Sequence, residues 1–237
     1  MLTRISEIIH ALEPIKEDEA FYEFWASYKD EPVIRKVFQD IESHLHDIEE
    51  EQWKKLLPKV VEKFRRKEAD RGWQQAFNAL QEGIAYSLLS RDGYSEIGFL
   101  PHRPSQRTPD LIARRGNDQV AIEVKSINRS EAQIQAEKNM TVQSLGLPLD
   151  ANFFAKLQST LDNASEQLAA QQSDEKVIFL FIEFDDISNV YVLSYLSQIR
   201  SWLGTRNMGA DKYYIHCHPA FYFASDQSVP PHLIVWP

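Results

Sequence analysis

The sequence is poor in cysteine, in glycine and in long apolar runs. Its single cysteine, Cys217, permits no intrachain disulfide, so we expect a protein of the reducing cytoplasm. No apolar run approaches the roughly 20 residues that cross a bilayer, and the first residues lack the apolar core of a signal peptide. None of the 8 glycines falls in a glycine-rich phosphate-binding loop, which argues against nucleotide hydrolysis by this chain.

Positive charge is scarce overall but locally concentrated. The formal net charge is -9 over 237 residues, which argues against a protein that coats nucleic acid with its whole surface. Residues 54–71, however, carry eight lysines or arginines against three acidic residues. Two interpretations of this basic stretch remain open, namely the solvated face of a helix and a surface that contacts phosphates.

Apolar spacing divides the chain into two regions. In residues 1–70 the apolar side chains recur at helical intervals, as in Ile5, Ile8 and Leu12, so we predict a small all-helical N-terminal region. Residues 71–237 mix helical and strand patterns, and we predict an α/β domain with a mixed central sheet. Its predicted helices and strands are, in order, helix 72–91, strands 94–100, 108–115 and 118–127, helix 152–172, strand 176–184, helix 191–203, and strands 213–218 and 232–236.

The motif with the clearest chemistry lies on two of these strands. A turn at Gly116-Asn117 would join them as a hairpin. With that turn at the tip, Asp110 falls directly opposite Glu123, and directly opposed residues share one face of a sheet. Lys125 shares this face because it lies two residues further along the same strand. The sequence therefore predicts two carboxylates and one lysine close together.

Two carboxylates that face each other repel unless a cation lies between them. Oxygen ligands of this kind suit Mg²⁺ or Mn²⁺, which accept few protein ligands and keep several waters. Such an ion can neutralise a phosphoryl oxygen and lower the pKa of a bound water. Lys125 could orient the attacking water or stabilise the developing negative charge. These are the groups that phosphodiester hydrolysis needs.

The same residues resemble a known family of enzymes. Pro109-Asp110 and Glu123-Val124-Lys125 are similar to the signature of the PD-(D/E)XK nucleases, and the predicted elements of residues 72–184 follow their restriction-endonuclease-like αβββαβ core. The resemblance covers about half of the chain. It implies that Asp110, Glu123 and the backbone carbonyl of Val124 bind Mg²⁺ or Mn²⁺, and that Lys125 acts on the attacking water.

The family usually adds an acidic residue on the helix before its first strand. Here Glu82 is the candidate, which would bind the metal through water or hold a second ion. Glu96, on the first strand of the domain, is the alternative.

Three functions remain open at this point. The resemblance implies a magnesium-dependent nuclease that acts on DNA rather than RNA, with no membrane contact, either as a homodimer or with a protein partner. The alternative is a catalytically dormant module of the same fold that serves as a binding or scaffold subunit for a protein partner. A third possibility is an unrelated α/β protein in which Asp110, Glu123 and Lys125 form an exposed charge cluster.

Two other groups of residues have both a functional and an ordinary structural interpretation. His216 and His218, together with His232, could bind zinc, but their spacing fits no common zinc signature, and a pair at a strand end is the simpler interpretation. Trp73, Phe99 and the aromatic residues of 213–223 could stack on bases, although aromatic side chains more often form the core.

Overall fold

The computed structural model describes residues 2–12, 32–65, 74–101, 108–128, 148–184, 189–206, 209–219 and 232–236. Within these ranges the chain forms six helices and six strands, which confirms the predicted α/β class with a mixed sheet. The helices and strands are α1 (Thr3–Leu12), α2 (Pro32–Leu45), α3 (Glu50–Phe64), α4 (Gln74–Arg91), β1 (Ser95–Phe99), β2 (Leu111–Arg115), β3 (Asp118–Ile127), α5 (Ala151–Ala169), β4 (Glu175–Phe184), α6 (Asn189–Leu203), β5 (Lys212–Pro219) and β6 (His232–Trp236). Among the described helices, none combines the length and the apolar character that a membrane crossing requires.

The described strands form one open sheet in which they follow each other in chain order. Strands β3, β4 and β5 are parallel, and β6 runs antiparallel to β5. A two-residue turn at Gly116 and Asn117 separates β2 from β3. Gly116 has a φ of +64°, a conformation that glycine adopts without a steric penalty and that tight hairpin turns require. The predicted turn therefore lies where the sequence places it.

Contacts between residues group the chain into two compact units. The first comprises Met1–Phe99 with Arg114–Gly116, and the second comprises Leu100–Ala113 with Asn117–Pro237. The first unit therefore holds α4, which the sequence assigns to the second domain, together with α2 and α3.

A glycine explains why α4 packs so closely within the first unit. A Cβ atom built on Gly83 would lie 2.7 Å from Leu45 Cδ2, 3.0 Å from Leu56 Cδ2 and 3.2 Å from Ile48 Cδ1. Real Cβ atoms tolerate such distances only if the neighbours move. The absence of a side chain at Gly83 thus lets α4 approach the helices before it and bury most of its surface.

The core of the second unit lies between the sheet and two helices. One face of β4, with Ile178, Leu180 and Ile182, packs against apolar side chains of α5 and α6, and Cys217 of β5 belongs to the same cluster. β4 is buried along most of its length, as its apolar run 176–184 predicts.

This packing shows which face of β3 carries the residues of the candidate site. Ala121 and Ile127 of β3 belong to the same cluster as α5 and α6. Side chains alternate along a strand, so Glu123 and Lys125, which lie between Ala121 and Ile127 at intervals of two, share that face.

Candidate active site

Asp110 is held beside β3 by its side chain and its backbone. It directly precedes β2, and its Oδ2 accepts a hydrogen bond of 2.9 Å from the backbone N–H of Val124. Its carbonyl oxygen accepts a second bond of 3.0 Å from the N–H of Leu100. The carboxylate is therefore fixed next to the Glu123-Val124-Lys125 segment.

Glu123 is a buried carboxylate with only one of its oxygens bonded. Its side chain is 2% exposed, and its Oε1 lies 2.5 Å from Nζ of Lys125, whose side chain is 27% exposed. The second oxygen, Oε2, is buried and has no hydrogen-bond partner among the described residues. Buried polar atoms are normally hydrogen-bonded, so an orphaned carboxylate oxygen calls for an explanation.

The electrostatics of the site raise the pKa of Glu123 to about 7 from an ordinary 4.5. Burial is the largest cause because it disfavours the charged carboxylate. The negative charge of Asp110 raises the pKa further, whereas the ammonium group of Lys125 and the backbone N–H of Asp110 lower it. At neutral pH Glu123 is therefore divided between its charged and neutral forms.

The donor atoms of the site fit a hydrated divalent cation. Two carboxylates converge, one of them has an orphaned oxygen, and all the available donors are oxygens of the kind that Mg²⁺ and Mn²⁺ prefer. No group of three or more His, Cys, Asp or Glu residues suited to a metal occurs among the described residues. A cation here would rely on Asp110, Glu123, the Val124 carbonyl and water, as Mg²⁺ commonly does.

Glu82 has a different partner in the structure. It lies on α4 in the first unit, with 9% of the residue exposed. Both of its carboxylate oxygens are 2.6 Å from Nζ of Lys59 on α3. The sequence gives no signal for this pairing, because Lys59 belongs to the basic stretch 54–71, whose two interpretations are a solvated helix face and a phosphate contact. The role of Glu82 as an additional ligand stays a prediction.

Glu96, the alternative to Glu82, lies on β1 in a strained conformation. Its side chain is 72% exposed and forms a 2.9 Å ion pair with Arg114. Its φ of +49° falls in the left-handed region, the only such value at a non-glycine residue among those described. Backbone strain of this kind costs of the order of 1 kcal/mol or more.

Glycine at position 96 should relieve this strain. We expect Glu96→Gly to raise the free energy of unfolding by about 1 kcal/mol in urea titrations, because glycine adopts positive φ without a clash. Ser95→Gly is the matched control on the same strand and should instead lower it by about 0.5 to 1 kcal/mol. Equal destabilisation by both substitutions would show that Glu96 is not strained.

The basic stretch is only partly within the described residues. On α3, Lys54 is 71% exposed and lies 3.8 Å from Glu50, and Lys63 donates to Gln75. Residues 66, 67 and 71, which supply three of its eight basic side chains, lie outside the described ranges. A phosphate contact by this stretch stays a prediction.

Some of the aromatic and histidine candidates lie in the core, and the others lie outside the described residues. Tyr213, Tyr214 and Phe99 are at most 6% exposed, which confirms that they belong to the core. His216 is 7% exposed and packs against the ring of Phe181. The side chains of His218 and His232 lie outside the described set, as do Trp73 and residues 220–223.

Comparison with known proteins identifies no relative of this chain. No family model and no curated protein matches the chain, and no solved structure matches its fold. The similarity to PD-(D/E)XK nucleases therefore depends on the residues that carry it, and the case for a function depends on the geometry around Asp110 and Glu123.

Proposed function

We propose that the protein is a divalent-metal-dependent nuclease that hydrolyses phosphodiester bonds of nucleic acid, DNA rather than RNA. The observation that carries this proposal is the carboxylate pair of partly buried Asp110 and fully buried Glu123, with an orphaned oxygen on Glu123 and an ammonium group beside it.

Each residue of the site has a distinct role in this proposal. Asp110 and Glu123 hold the cation together with the carbonyl of Val124. When bound, the cation polarises a phosphoryl oxygen and lowers the pKa of a water. The N–H of Val124 keeps Asp110 in place. Lys125, partly exposed, donates hydrogen bonds to the attacking water or to the phosphate, whose growing negative charge it stabilises.

The burial of Glu123 favours this function over an exposed charge cluster. Surface ion pairs remain hydrated and shift the pKa of their members little, whereas burying a carboxylate costs several kcal/mol unless it is paired and hydrogen-bonded. Glu123 is 2% exposed, and only one of its oxygens has a described partner. Strongly shifted pKa values of this kind concentrate at functional sites.

A dormant binding module is the second candidate, and the pairing of Glu82 with Lys59 favours it. That ion pair already neutralises the carboxylate that would serve as the additional metal ligand. A module of this kind would still bind Mn²⁺ at Asp110 and Glu123, but it would cut no substrate.

A cleavage assay tests the proposal directly. The purified chain is incubated with plasmid, linear duplex DNA, single-stranded DNA and RNA, in Mg²⁺ or Mn²⁺ and in EDTA. We expect DNA to be cut only where a divalent cation is present. Equal cleavage in EDTA would refute metal dependence. No cleavage of any substrate, combined with measurable Mn²⁺ binding by calorimetry, would favour the dormant module.

A further inference from the structure

Lys156 of α5 has its ammonium group fixed at the end of the strand that carries the candidate site. The side chain donates a 2.8 Å hydrogen bond to the carbonyl oxygen of Asn128, which directly follows β3. Lys156 is an exposed residue. Because the carbonyl group is neutral, this bond fixes the position of the ammonium group without neutralising its charge. A positive charge therefore has a defined position at the carboxyl end of β3.

Lys156 lies on the same side of the sheet as the candidate site. Ile127 of β3 packs in one core cluster with Leu157, which is the neighbour of Lys156 on α5. Side chains alternate along a strand, so Glu123 and Lys125 project from the same face of β3 as Ile127 does. The helix that covers this face therefore supplies a second lysine on the side of the site residues.

The distance along β3 separates Lys156 from a phosphate at the candidate site. A strand rises about 3.3 Å per residue, so Asn128 lies about 10 Å beyond Lys125. The ammonium group of Lys125 is turned back toward Glu123, which increases its separation from that of Lys156. A phosphate held at Glu123 is therefore beyond the hydrogen-bond reach of Lys156. A DNA strand advances about 3.4 Å per nucleotide, so about 10 Å corresponds to at most about three nucleotides.

An acidic residue at the same edge of the sheet projects from the opposite face. Glu183 lies near the carboxyl end of β4. Its neighbours Ile182 and Phe184 both pack in the cluster with α5, so alternation directs Glu183 away from α5. The sheet therefore separates its charge from that of Lys156, and an anion that approaches Lys156 along α5 meets no repulsion from Glu183.

We propose that Lys156 binds a backbone phosphate one to three nucleotides from the scissile bond, so that the substrate is a polynucleotide strand rather than a small phosphodiester. The inference rests on the proposed nuclease function and deepens it by naming the substrate class. A small phosphodiester carries one negative charge, which the candidate site itself holds. A polynucleotide carries one charge per nucleotide and so reaches both the site and Lys156.

Cleavage of plasmid DNA and of bis(p-nitrophenyl) phosphate, a small diester with a single charge, tests the contact on the full chain. Lys156→Met should raise KM for the plasmid about 3- to 10-fold and leave kcat within about twofold. It should also lower the slope of log KM against log salt by about one. Its rate on the small diester should equal that of the wild type, because that substrate does not extend to Lys156.

A neutral linkage in the DNA locates the phosphate that Lys156 contacts. In an oligonucleotide with one methylphosphonate linkage, the wild type should cut bonds about one to three nucleotides to one side of that linkage more slowly. Lys156→Met should cut the same bonds as fast as it cuts them in the fully charged strand. A lysine that only ties α5 to β3 would not produce this dependence on position.

Two variants control for charge and for folding. Lys156→Arg keeps the charge and should restore KM to within about twofold of the wild type. Lys212→Met removes the same charge from the opposite face of the sheet, since Tyr213 beside it packs in the cluster with α5. It should leave KM and the salt slope unchanged. Urea unfolding of each variant shows whether it is folded under the conditions of the assay.

Several results would overturn the role of Lys156. These are a wild-type KM and salt slope in Lys156→Met, equal losses on the plasmid and the small diester, and equal effects of Lys156→Met and Lys212→Met. Binding of labelled DNA in EDTA, measured by anisotropy, separates this inference from the function on which it rests. If Lys156→Met weakens binding about 3- to 10-fold but the wild type cuts no substrate, the nuclease proposal alone is refuted.

Discussion

Asp110→Asn should reduce metal-dependent cleavage roughly 10³-fold or more. The amide oxygen can still accept the hydrogen bond from Val124, so the local fold should persist while the charge that attracts the cation is lost. Removing a group that stabilises charge in the transition state commonly costs 10² to 10³ in rate, and loss of the metal costs more. Plasmid nicking in Mn²⁺, followed over time on a gel, measures the effect.

Lys125→Met should reduce turnover to a similar extent while leaving part of the metal affinity. The lysine opposes the rise in the pKa of Glu123, so its removal raises that pKa further and weakens cation binding near neutrality. The variant is therefore best assayed near pH 8.5, where a larger fraction of Glu123 is charged than at pH 7.

Asp118→Asn is the control for both substitutions because Asp118 is an exposed acid at the start of the same strand. It should cut as wild type does. Wild-type cleavage by Asp110→Asn would place the active centre elsewhere.

Glu123→Gln should stabilise the protein at pH 8 and leave its stability near pH 4.5 almost unchanged. The pKa of Glu123 is raised from 4.5 to about 7 in the folded chain, so the folded state binds more protons than the unfolded state between these values. The stability contributed by the neutral side chain is fully present below pH 4.5 and is lost as the pH rises through 7. A shift of this size corresponds to roughly 3 kcal/mol. Glutamine mimics the neutral form and should retain that amount at pH 8.

Urea unfolding at pH 4.5 and pH 8, with and without Mg²⁺, measures this difference. Mg²⁺ at about 100 times its dissociation constant should stabilise the wild type at pH 8 by about 2.7 kcal/mol and the glutamine variant much less. Glu166→Gln, at an exposed position on α5, is the matched control for this substitution. If the difference in stability between the wild type and Glu123→Gln is the same at both pH values, the pKa of Glu123 is not raised in the folded protein.

The pattern of apolar residues predicted most of the fold, and the reasons are local. The run 176–184 is too short and too apolar for anything but a buried strand, and β4 occupies Glu175–Phe184. Gly116 gave the hairpin turn because positive φ is a property of the residue itself. From that turn, strand alternation was enough to predict that Asp110 lies beside Glu123 and Lys125.

The parts of the site that the sequence could not predict depend on tertiary packing. Alternation assigns Glu123 and Lys125 to one face, but it cannot tell that one is 2% exposed and the other 27%. The partner of Glu82 comes from Lys59, on another helix. Each of these features depends on how separate helices and strands pack together, and the intervals between residues in the sequence do not determine that packing.

Because Cys217 is buried, the only thiol of the chain does not react with labelling reagents in the folded protein. It lies in the core cluster on β5, and burial raises its pKa to about 12, so both access and thiolate formation are suppressed in the folded state. A cysteine introduced at the surface would therefore be the sole site for a fluorophore or spin probe, with no need to remove the natural one. Modification of Cys217 itself requires the sheet around β5 to open. The rate at which a thiol reagent modifies Cys217 would therefore measure how often the second unit unfolds.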